Sequence, residues 1–140
     1  MGFYPGPANG TSWTGPYQPP TTALYSGDLP QTLISPADGA GAALAGKASA
    51  AVAIAPPRSL DMAQTISVSG FFDGAPGVFE IDLQTADVDA DGMYVTEATT
   101  ITAVNTNNAF HQLFTVKGKF VRAFVKTLPN NVHLTLTVQA

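Results

Sequence analysis

Residues 77–95 constrain this chain more than any other stretch. Within them Phe79, Ile81 and Leu83 share one parity, and Glu80, Asp82 and Gln84 share the other. Successive side chains of an extended chain point to opposite faces. The pattern therefore predicts a β-strand with one dry and one wet face. Asp91-Gly92 follows, and Met93 resumes an extended pattern. Asp and Gly both tolerate positive φ. An Asp-Gly between two alternating runs thus predicts a tight hairpin, residues 77–85 against residues 93–102.

The same period continues beyond the hairpin. Ile66, Val68 and Phe72 fall on one face of residues 65–72, and Phe110, Phe114 and Val116 on one parity of residues 110–116. Val132, Leu134, Leu136 and Val138 alternate with His133, Thr135, Thr137 and Gln139. Turn-forming residues separate the runs at 73–77, 105–108, 117–119 and 129–131. Six short strands, seven or eight if the preceding segment contributes, predict an all-β domain over residues 61–140. The spacing suits a β-sandwich or jelly roll. Residues 120–126 are apolar on both sides: Val121, Ala123 and Val125 oppose Phe120 and Phe124, with Arg122 and Lys126 on the aromatic side. A buried Arg needs a carboxylate partner, so this mixed face suits a contact surface better than a core. Phe120, Arg122 and Phe124 are its expected contact residues.

Residues 1–60 read as a long extended arm rich in Pro, Gly and Ala. Nine of the eleven prolines precede residue 58. Proline removes donors and fixes φ, which favours extended backbone. Aromatic side chains are spread along it, and a solvated linker has little use for them. Trp13, Tyr17 and Tyr25 are the expected anchors, docking on a neighbouring subunit. The alternatives are an arm folded back on its own domain, or disorder. Residues 37–55 are Ala- and Gly-rich, with a short helical turn expected near 42–45 and a strand ending at Pro56-Pro57.

Composition excludes several functions. With no cysteine there is no disulfide, thiolate nucleophile or Cys-based zinc site. A net charge of -4 with six Lys and Arg argues against nucleic acid. No apolar run approaches the length that spans a membrane, and no targeting segment is expected. Charged residues make up 11% of the chain, which suits a protein covered by neighbours. A compact part of about eighty residues is marginal alone, so self-association is expected.

Asp87, Asp89 and Asp91 precede Gly92 with the spacing that opens a calcium loop. Position twelve is Ala98, where a bidentate Glu is needed, and strands rather than helices flank the loop. An acidic turn with no cofactor is the expectation, and a non-EF-hand calcium site the alternative. His111 and His133 are far apart in sequence, and Glu80 and Asp82 share the outward face of one strand. Neither arrangement gives a nucleophile–base pair or a cleft, so no enzymatic activity is expected.

Residues 68–95, Val-Ser-Gly-Phe-Phe-Asp-Gly-Ala-Pro-Gly-Val-Phe-Glu-Ile-Asp-Leu-Gln-Thr-Ala-Asp-Val-Asp-Ala-Asp-Gly-Met-Tyr-Val, with Lys-Phe-Val-Arg-Ala-Phe-Val-Lys-Thr-Leu-Pro at 119–129, resemble small structural proteins of tailed bacteriophages. The resemblance covers residues 64–140. It implies a virion component, a head decoration (cement) protein on the outer surface of the head, present in the host cytoplasm during assembly. Its implied partners are the major capsid protein and itself, as a homotrimer. A tail, neck or baseplate component that binds a receptor or carbohydrate is the alternative. No catalytic residue is implied.

Overall fold

In the computed structural model, which describes residues 29–54 and 64–140, the period-two runs become strands. In chain order these are β1 (Gln31–Ile34), β2 (Lys47–Ala48), β3 (Val52–Ala53), β4 (Gln64–Phe72), β5 (Glu80–Ala86), β6 (Val95–Ile101), β7 (Ala109–Val116), β8 (Phe120–Thr127) and β9 (Leu134–Gln139). They pair antiparallel into two sheets. The first runs β1-β9-β4-β7. The second runs β8-β5-β6, with β2 and β3 one after the other along the other edge of β8. Apart from β2–β3 and the β5–β6 hairpin, each connection crosses from one sheet to the other. The result is an all-β sandwich.

One core fills the space between the sheets. The inward parity is the one expected from sequence: Ile66 and Val68 on β4, Ile81 and Leu83 on β5, and Leu134, Leu136 and Val138 on β9 are all sealed from solvent. Each such side chain contributes roughly 1.5–3 kcal/mol on burial. Gly70 continues the inward parity of β4 without a side chain. A Cβ there would lie 2.5 Å from the Thr135 carbonyl oxygen and 2.7 Å from the Phe110 ring. Its absence lets Phe110 lean over β4 and join Phe72 and Phe79, whose rings meet edge-on at 4.8 Å.

Sheet pairing reaches back to Gln31, well before the expected start of the compact part at residue 61. Leu33, Ile34, Leu44 and Ile54 all belong to the core. Residues 31–54 of the expected arm thus supply the edge of both sheets, because their few apolar side chains find a dry face there. The helical turn expected near 42–45 is a 3-10 turn at Gly41–Ala43. The last strand begins at Leu134 rather than Val132, and His133 instead bridges to Ala40.

The β5–β6 hairpin forms, but not through a two-residue Asp-Gly turn. The loop runs over residues 87–94 with a 3-10 turn at Asp91–Met93, and Gly92 is not among the glycines with positive φ. A register shift between Asp82 and Gln84 bulges the pair below the loop. Loop contacts to β8, described next, hold this longer connection.

Candidate interaction surfaces

The outer face of the second sheet carries the expected contact residues. Phe120, Arg122 and Phe124 alternate outward along β8 and are each half-buried, while Val121, Ala123 and Val125 face the core. Arg122 does have the carboxylate partner that a covered arginine requires. Its Nη1 donates to Asp91 Oδ1 at 2.9 Å and its Nε donates to Gln84 Oε1 at 2.8 Å. Its guanidinium also lies 3.9 Å from the centre of the Tyr94 ring, a cation–π stack. The Tyr94 hydroxyl donates to Asp89 Oδ1 at 2.8 Å. Burial, and then that bond to Asp89, push the Tyr94 pKa well above the usual tyrosine range, so the hydroxyl stays a donor. Arg122 is thereby a clamp for the hairpin loop, a role the sequence pattern does not disclose.

Asp87, Asp89 and Asp91 are consequently not assembled as a ligand set. Asp89 serves Tyr94 and Asp91 serves Arg122. No group of three or more metal-ligating side chains occurs among the described residues. Asp82 sits on the same outer face, between Phe124 of β8 and Thr100 of β6. It is only 6% exposed and its Oδ1 has no hydrogen-bond partner. Desolvation, followed by the charge of Glu80, raises its pKa, and Lys126 opposes the rise. Lys126 itself stands 3.7 Å from Glu80.

The first sheet presents a different outer face. Small polar side chains, Ser67, Ser69, Thr135 and Thr137, occupy its middle, and Phe71 and Leu113 stand out from it. Ser67 Oγ and His111 Nε2 lie 2.9 Å apart. Ser67 lies opposite Leu113 and His111 opposite Ser69, so the contact runs diagonally between two neighbouring strands of the ladder. The Ser–His contact is therefore read as a cross-strand hydrogen bond.

His133 ties two segments together. Its backbone N–H donates to Asp73 Oδ1 and its Nδ1 lies 2.8 Å from Asp73 Oδ2, which pins the last strand to the turn after β4. These bonds hold the Asp73 carboxyl below its usual range. A cavity of about 270 Å³ opens between the sheets at the β1 and β2 edge, floored by Leu33, Ile34, Leu44 and Val125 and rimmed by Asp38 and Lys47. The expected anchors Trp13, Tyr17 and Tyr25 lie outside the described residues. No helix among the described residues is long and apolar enough to cross a membrane. No protein-family model matches the chain, and no curated protein sequence matches it.

Proposed function

We propose that this chain is a structural protein of a tailed-phage virion, a head decoration protein that binds the major capsid protein and itself as a homotrimer. It acts by binding and not by catalysis. The carrying observation is the outer face of the first sheet: none of β1, β4, β7 or β9 contains Asp, Glu, Lys or Arg. Interfaces are depleted of charge, whereas solvated sheet faces are rich in it. The strand order supports a jelly-roll reading, since a four-stranded and a five-stranded sheet exchange the chain at nearly every connection, an architecture common in capsid proteins. The resemblance of residues 68–95 and 119–129 to phage structural proteins supplies the virion context.

Image reconstruction of the particle tests the proposal. Density for this chain repeated over the head lattice at three-fold positions is the expected result. A few copies at the tail, neck or baseplate would overturn it and favour the receptor- or carbohydrate-binding alternative.

A further inference from the structure

The first sheet's outer face is uncharged across all four strands, and it is also apolar where it projects. Phe71 is 49% exposed and Leu113 is 62% exposed. Two shallow depressions flank them, about 340 Å³ beside Phe71 and about 320 Å³ beside Leu113. Both are lined by His111, so they join into one track across the sheet. Such a surface is expected to be covered.

The chain itself contains a matching strip. Residues 1–27 hold no Asp, Glu, Lys or Arg, and include Phe3, Tyr4, Trp13, Tyr17 and Tyr25. The point of attachment is equally specific. Gln31 opens β1 at the edge of this same sheet and pairs with Val138, next to Gln139. Gln139 lies opposite Ser67, and Ser67 opposite Leu113. The preceding residues thus reach the sheet at the end of the row that leads to Leu113. Three strand spacings of about 4.8 Å separate β1 from β7. An extended chain crosses that distance in about five residues, at roughly 3.3 Å each. Tyr25 is then within reach of Leu113, and the residues before it suffice to follow the track past His111 to Phe71.

We propose that residues 1–27 lie across the outer face of their own first sheet, with their aromatic side chains against Leu113 and Phe71. Proline reduces the ordering cost by restricting the free segment beforehand. Asp28 is the one acidic or basic side chain on the crossing path, and neither residues 1–27 nor the four strands add another to be desolvated. This inference concerns the free protein; a capsid contact through the same face requires the segment to leave it, so the two readings share one surface and are tested separately.

Trp13 is the only tryptophan and the chain has no cysteine, so the full-length protein carries its own reporter and a clean background for cross-linking. In the wild type, Trp13 fluorescence is expected to be blue-shifted and shielded from acrylamide, independent of protein concentration. Leu113→Lys and Ser69→Lys change outward positions only. Each is expected to shift the emission to the red and raise quenching while the urea unfolding transition of the sandwich persists. A double variant, Tyr25→Cys with Leu113→Cys, is expected to form an intramolecular disulfide. Solvent-like emission in the wild type overturns the proposal, as does emission indifferent to both lysines. Shielding lost on dilution, or a disulfide that joins two chains, overturns it in favour of a second copy on this face. No measurement here involves a particle, so failure would leave the decoration reading to its own test.

Discussion

Asp82 is held in a state that its surroundings penalise. Its carboxyl is buried on the outer side of β5 with Oδ1 unpartnered, and Glu80 is a like charge on the same face. Leaving a buried polar atom unsatisfied costs about 1–3 kcal/mol, and more for a charge. Because the folded pKa lies above the unfolded one, the folded state binds the extra proton between the two values. The penalty therefore grows as pH rises through that window and is complete above it. Asp73 works in the opposite sense. His133 lowers its pKa, so its contribution is present above the ordinary carboxylate range and is lost as pH falls through the folded value. Urea denaturation should show Asp82→Asn more stable than wild type at neutral pH, by about 1–3 kcal/mol. The gain should vanish below the ordinary carboxylate range, where Asp82 is protonated in both states. Asp73→Asn should lose stability at neutral pH, and that loss too should close on acidification. A neutral-pH loss for Asp82→Asn would mean that its second oxygen makes a contact worth more than the desolvation.

At the scale of elements, the β5–β6 loop owes its shape to one residue on a different strand. Arg122 stacks on Tyr94, bonds Gln84 and reaches Asp91 from a position only 14% exposed, whereas the Asp91 side chain is 98% exposed. The ion pair itself contributes little, since its acidic end is fully solvated. The planar stack and the fork of donors are what matter, and lysine supplies neither. Arg122→Lys should therefore raise hydrogen exchange in residues 87–94 and cost about 1 kcal/mol, whereas Asp91→Asn should be near neutral. Equal effects of the two would identify the ion pair as the clamp. This clamp also explains where sequence reading stopped. The parity of β4, β5, β8 and β9 was legible because a half-buried sheet demands alternation over many residues. The Asp-Gly turn was not, because local φ preference yielded to a cross-strand anchor thirty-one residues away. β1 was hidden for a related reason. Adjacent Leu33 and Ile34 are both buried, through a bulge between Leu136 and Thr137, and a bulge erases period two. The two-residue β2 and β3 are too short to show any period. The uncharged face of the first sheet was in plain view in the sequence, but only the strand order brings its four strands together.

The whole molecule is closed by a strand that precedes most of it. β1 covers the edge of β9 and places Leu33 and Ile34 in the core. Two truncations separate its role from that of the residues before it. Removal of residues 1–28 leaves β1 and, among the described residues, the core and every strand pairing in place. That protein should unfold in one cooperative urea transition. Removal of residues 1–36 takes β1 as well. Emptying a buried Leu or Ile site costs about 2–5 kcal/mol each. Against a typical total of about 5–15 kcal/mol, losing two such sites consumes most or all of the stability. β9 would also become an exposed edge with Leu136 and Val138 beside it, a template for aggregation. The shorter protein should thus lack a cooperative transition or precipitate on refolding. If it matched the 1–28 truncation in midpoint and slope, β1 would be dispensable and the sandwich would close on β9 alone.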